Sequence, residues 1–118
     1  MHKIRKQKVQ SQLRKEISML IMREVKDPRT DKLITVTNVS LTEDLKTAHV
    51  YVSVMGDDKE KEKAVKGLQH AAGFIRSRLG DEMRLQFTPD IKFMLDDTEE
   101  HRTRVLKLLM QIEESKPK

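Results

Sequence analysis

The chain contains no cysteine, which excludes disulfides and thiolate-held metals and fits a reducing compartment. No apolar run approaches the roughly 18 residues that span a bilayer, and no short apolar core precedes a small-residue cleavage site. Aromatics are scarce: Tyr51, Phe74, Phe87 and Phe93 are the full set, too few for a base-stacking platform. Glycine stands only at 56, 67, 73 and 80, so the sequence holds no phosphate-cradling loop and no GxxG. The histidines at 2, 49, 70 and 101 are scattered, whereas zinc needs three or four convergent ligands. Asp96, Asp97, Glu99 and Glu100 lack the turn glycine and ligand order of a calcium loop, so they read as a solvated acidic connector. No serine sits with a positioned histidine. The expectation is a protein without catalysis, cofactor, metal or small-molecule substrate, in a soluble, cytoplasmic setting.

What the chain has is basic charge, unevenly spread. At 118 residues it makes one domain, long enough to bury a core unaided. The net charge is +5, yet residues 1–32 hold ten Lys and Arg against four acids. A second, smaller excess lies in residues 66–95, with five basic residues against three acids. Concentrated basic faces attract polyanions and speed encounter with them. Charge alone leaves a solvated Lys-rich helix as an equal alternative.

Hydrophobic spacing supplies the architecture. Ile4, Val9, Leu13, Ile17, Leu20, Ile21 and Val25 recur at helical intervals, and the predicted helix ends at Asp27-Pro28. Leu33 to Leu41 is β-branched and reads as a strand. Ile34 and Val36 fall on one parity and Val39 and Leu41 on the other, which calls for a bulge or burial on both faces. After a short polar connection, Ala48, Val50, Val52 and Val54 alternate cleanly as a second strand. An aspartate at 57 or 58 is placed to cap a helix carrying Ala64, Val65, Leu68 and Ala72 inward. A joint at Ala71-Ala72-Gly73 leads to a third helix with Ile75, Leu79 and Met83 inward, and Ile91, Phe93 and Leu95 form the last strand. Thr98 is a candidate cap for a final helix with Val105, Leu108, Leu109 and Ile112 as its stripe, and 115–118 reads as a disordered tail.

The order α-β-β-α-α-β, with a three-stranded sheet covered by helices, is that of a single α+β domain of the type II KH kind. The expected division is a KH-like RNA-binding core over 1–97 and a C-terminal helix and tail over 98–118. KH domains usually grip about four nucleotides with a GxxG loop. The plain joint here implies a grip by charge and shape instead.

Nearly end to end the sequence resembles the ribosome-binding factor A family. The resemblance runs through Val25-Lys26-Asp27-Pro28-Arg29, Ile34-Thr35-Val36-Thr37-Asn38-Val39, Asp44-Leu45 and Ala48-His49-Val50-Tyr51-Val52-Ser53-Val54. Its most specific part is Ala72-Gly73-Phe74-Ile75-Arg76-Ser77-Arg78-Leu79-Gly80, then Met83-Arg84-Leu85, Pro89-Asp90-Ile91-Lys92-Phe93 and Asp96. That family replaces GxxG with a small-x-Gly kink, which Ala71-Ala72-Gly73 matches. The chain departs from it at Gln86, where another arginine is usual, and in lacking a glycine before the last helix. The resemblance implies a factor that binds the 30S subunit or its precursor through 16S rRNA, supports late maturation including 5′-end processing, matters most in the cold, and is released through an assembly GTPase.

Two basic surfaces are the candidate RNA contacts. Helix one and its end offer Arg5, Lys6, Lys8, Arg14, Lys15, Arg23, Lys26 and Arg29; the kink region offers Lys66, Arg76, Arg78 and Arg84. Guanidinium groups suit phosphate because they donate two parallel hydrogen bonds. For Arg76 and Arg78 the competing expectation is packing over the sheet edge. The rival function is a KH-like adaptor for a protein such as a GTPase or nuclease, touched through Met19, Met22, Met55, Met94 and Met110, although most of these read as core filler. A basic helix one lying on a membrane is the third reading. A monomer is the default.

Overall fold

The structure is a computed structural model that describes residues 2–30, 33–85, 87–96, 103 and 106–112. Helix α1 spans His2–Arg23, followed by a single 3-10 turn at Pro28–Thr30. Strands β1 (Ile34–Leu41) and β2 (Thr47–Val54) form an antiparallel pair. Helices α2 (Asp58–His70) and α3 (Ala72–Met83) lead to β3 (Asp90–Leu95), which lies parallel to β2. The sheet order is β1-β2-β3, so the expected α-β-β-α-α-β order is the observed one.

One face of this sheet is apolar because its strands alternate. Ala48, Val50, Val52 and Val54 of β2 are buried, as are Ile91 and Phe93 of β3. In β1 the register shifts between Val36 and Asn38, a bulge that turns both Val36 and Val39 inward despite their opposite parity. Against this face lie Leu13, Ile17 and Leu20 of α1, Ala64 and Leu68 of α2, and Ala72, Ile75 and Leu79 of α3. The largest of these are fully buried, each worth about 2 kcal/mol of apolar transfer. Val65 is half-buried at the margin of this core.

Helix α2 starts in a capping box. The Asp57 carboxylate accepts from the Glu60 N–H at 2.8 Å, and the Glu60 side chain reaches back to the Asp57 N–H. Further along, Gly67 brings α2 against the 3-10 turn. A methyl at Gly67 would come within 2.9 Å of Arg29 Cβ and Thr30 Cγ2, so glycine is a packing requirement there. A methyl at Gly80 would meet Thr88 Oγ1 at 3.0 Å, a second close approach.

Side-chain amides occupy backbone groups on both edges of the sheet. On β1, Gln10 Oε1 accepts from the Leu41 N–H at 2.8 Å and Asn38 Oδ1 accepts from the Val39 N–H at 3.0 Å. On β3, Gln69 Nε2 donates to the Ile91 carbonyl at 3.1 Å, and the Phe93 N–H donates to Gln69 Oε1 at 2.9 Å.

Several expectations are corrected. Helix α1 ends at Arg23 rather than at Asp27-Pro28, because the Leu20 carbonyl accepts from both Glu24 and Val25 and the ladder stops there. Strand β1 begins at Ile34; Leu33 is exposed, and its carbonyl accepts from the Met55 N–H. The joint between α2 and α3 is Ala71 alone, and Ala72 already belongs to α3. Met22, Met55, Met94 and Met110 are exposed rather than core filler, with Met22 82% accessible. Residues 106–112 are helical as expected, and Leu108, Leu109 and Ile112 are 44–59% exposed there. The proposed cap Thr98, the stripe residue Val105, Gln86, most of the acidic connector and the 115–118 tail lie outside the described residues.

Candidate nucleic-acid interface

Lys, Arg, Gln and Leu are strong helix formers, so α1 forms while keeping its charges on the outer face. Leu13 and Ile17 anchor it over β1, and Lys8 and Lys15, seven residues apart, share the side turned away from the core. Arg5, Arg14 and Arg23 are also exposed on α1, as is Lys26 just beyond it. None of these six cations has an ion-pair partner among the described residues. Lys6 differs: it is half-buried, and its ammonium lies 3.3 Å from Glu43.

The remaining arginines are largely engaged within the fold. Arg29 grips Asp27 through Nε at 3.0 Å and Nη2 at 2.7 Å, while its backbone N–H adds a third bond at 2.9 Å. Those bonds hold the Asp27 carboxyl down at about 2 and raise the Arg29 guanidinium. Arg78 donates to both oxygens of Glu24 at 3.1 and 2.8 Å, tying α3 to the end of α1. This hydrogen-bonded pair raises the Arg78 pKa. Arg76 donates twice to the Thr88 carbonyl, at 3.2 and 3.1 Å, and lies 3.5 Å from Asp90. The two side chains diverge, one to the entry of β3 and one to α1. Arg84 is exposed and ends α3 in a left-handed conformation at φ 50°. Lys66 is exposed on α2.

The kink is open. Ala71 closes α2 through its N–H to the Gly67 and Leu68 carbonyls, and no side chain caps the start of α3. Nothing lies within 4 Å of a methyl built on Gly73, so neither packing nor backbone conformation demands glycine at that position. Phe74 beside it is half exposed.

Sequence reasoning passed over the uncharged part of this surface. Gln7, Gln10, Ser11 and Arg14 of α1 face Asn38 and Val39 of β1 across a groove of about 290 Å³. Their spacing at 7, 10, 11 and 14 is the signal that marks one helix side, and glutamines beside an apolar stripe are suited to closing a strand edge. Among the described residues no group of three or more His, Cys, Asp or Glu could hold a metal ion. Nor is any described helix long and apolar enough to cross a membrane.

The sequence model of ribosome-binding factor A matches residues 5–109. The chain is 43% identical to ribosome-binding factor A of Dictyoglomus thermophilum over 108 residues, covering 92% of this chain and 90% of that one. The crystal structure of ribosome-binding factor A from Thermus thermophilus superposes with a TM-score of 0.69 at 27% identity, over 76% of this chain and 93% of that one. A homology model of the Thermus thermophilus protein, as fitted into the cryo-EM map of a complex of the 30S subunit with ribosome-binding factor A, superposes with a TM-score of 0.60, at 27% identity, over 72% of this chain and 88% of that one. The shared sequence, strand order and helical cover leave one conclusion: this chain belongs to the ribosome-binding factor A family.

Proposed function

We propose that this protein binds the free or immature 30S subunit through 16S rRNA and supports late maturation of the subunit without catalysing a reaction. The observation that carries the proposal is the set of unpaired, exposed cations on α1, in a chain whose Thermus relative was fitted into a 30S complex. Phosphate neutralisation by such side chains releases counterions, so binding weakens steeply as salt rises. Four aromatics, with Phe93 buried, leave little for base stacking, so shape and backbone are read instead. The same reading places 5′-end processing of 16S rRNA and growth in the cold downstream of binding. It also makes an assembly GTPase the agent of release, the protein monomeric and its setting cytoplasmic.

The test is co-sedimentation on sucrose gradients at several salt concentrations. Wild type is expected with free 30S particles and absent from translating 70S, and Lys8→Glu with Lys15→Glu moves it to the top. Those lysines are better probes than Arg76 and Arg78, whose internal bonds make their reversal a perturbation of the fold. A wild-type protein that stays at the top at every salt overturns the proposal. One observation favours a second reading, an adaptor for a protein partner: Met22, Met55, Met94 and Met110 are exposed. Salt-insensitive binding to a single protein would select it.

A further inference from the structure

The groove between α1 and β1 presents two amide donors whose orientation the fold fixes. Gln10 Oε1 and Asn38 Oδ1 each accept from a backbone N–H of β1, at 2.8 and 3.0 Å. Only the oxygen of an amide can accept, so these two bonds fix the orientation of both side chains. Their NH2 groups are left as donors beside the groove. Ser11 adds a hydroxyl, Gln7 a third side-chain amide and Arg14 a guanidinium, and among the described residues no carboxylate lines the groove. A neighbouring depression, lined by Lys8, Gln12 and Lys15, shares Gln7 and Ser11 with it.

Fixed donors, one permanent cation and no lining anion complement a ligand that is negative and only accepts. A phosphodiester is such a group, and a planar guanidinium can bond two of its oxygens. We infer that the α1–β1 groove is a phosphodiester subsite, where Arg14 and the NH2 groups of Gln10 and Asn38 hold one RNA backbone phosphate. Lys8 and Lys15 hold phosphates next to it along the strand. This assignment rests on the RNA-binding function proposed above and names the part of the surface that reads geometry rather than charge alone. It differs from the kink, which lies between α2 and α3.

Two substitutions isolate the groove. Asn38→Asp keeps the oxygen that accepts from Val39 and exchanges the NH2 for a second, negative oxygen. Arg14→Gln removes the charge from an exposed position. Both variants should melt close to wild type, and each should bind purified 30S subunits about tenfold more weakly. Arg14→Gln should also lower the slope of log affinity against log salt by about 0.7–0.9, as expected for one lost phosphate contact. If both variants bind within twofold of wild type while Lys8→Glu with Lys15→Glu is impaired, the RNA lies on α1 outside the groove and the assignment falls.

A second arm follows the side-chain amide resonances of Gln10 and Asn38 by NMR. They should shift on adding an oligouridylate of about ten nucleotides, and not with inorganic phosphate at the same phosphate concentration. Equal shifts with inorganic phosphate identify a free-anion pocket, and no shift with either removes the site; both overturn the assignment. If wild type fails to bind 30S particles, the proposed function is lost, and the NMR arm still decides the groove.

Discussion

Gln69→Ala removes the amide that closes β3. In the native fold that side chain donates to the Ile91 carbonyl at 3.1 Å and accepts from the Phe93 N–H at 2.9 Å. Each such bond contributes about 0.5–1.5 kcal/mol net, so losing two costs about 2 kcal/mol. The better helix propensity of alanine returns only a few tenths. For a domain of this size, about 2 kcal/mol corresponds to a fall in melting temperature of roughly 6–12 °C. Urea denaturation gives the free energy, and hydrogen exchange at the Phe93 amide gives the site. The amide should be protected in wild type and exchange much faster in the variant. Gln69→Glu serves as the partner experiment, because it keeps the acceptor for Phe93 and sets a carboxylate against the Ile91 carbonyl. A Gln69→Ala variant within about 0.3 kcal/mol of wild type, with Phe93 still protected, would refute the reasoning.

Gly67→Ala and Gly73→Ala should have opposite signs in denaturant titrations. The first drives a methyl to 2.9 Å from Arg29 and Thr30 and should destabilise by about 1–2 kcal/mol, while the second meets open space and should stabilise by up to about 1 kcal/mol. Arg78→Glu sets two carboxylates together at the α1–α3 contact and should lower the denaturation midpoint, and Glu24→Arg in the same chain should restore most of it. Asp27→Asn should be less stable than wild type at neutral pH. Because the folded-state pKa of Asp27 lies near 2, below the ordinary 3.8, the wild-type advantage is complete above about pH 4 and shrinks as pH falls toward 2. Melting curves across pH 2–7 would show the two proteins converging at the acid end.

The order of elements was legible because two periodicities are clean: Leu13, Ile17 and Leu20 repeat on one helix side, and Ala48 to Val54 alternate strictly. Even the β1 bulge left a trace, in the change of parity between Val36 and Val39. What the sequence could not carry was the partner of each charge. Arg78 and Glu24 are 54 residues apart, and no local pattern joins them. Arginines singled out for RNA thus include two that fasten separate parts of the fold together, Arg76 and Arg78, and one, Arg29, that closes a local turn onto Asp27. The groove was invisible for the same reason, since Gln10 and Asn38 meet only once α1 lies over β1. The exposed methionines mislead because composition records an apolar residue without recording which side of an element it occupies.

The strand edges are closed by glutamine and asparagine rather than by lysine or aspartate. A neutral amide neither titrates over the physiological range nor answers to ionic strength. The contacts proposed for RNA include permanent charges, whose attraction for phosphate salt weakens. Salt or a competing polyanion can therefore detach the protein from its target while these edge bonds persist. In the released chain the N–H groups of Val39, Leu41 and Phe93 and the carbonyl of Ile91 stay occupied, which leaves a neighbouring strand fewer edge groups on which to nucleate aggregation.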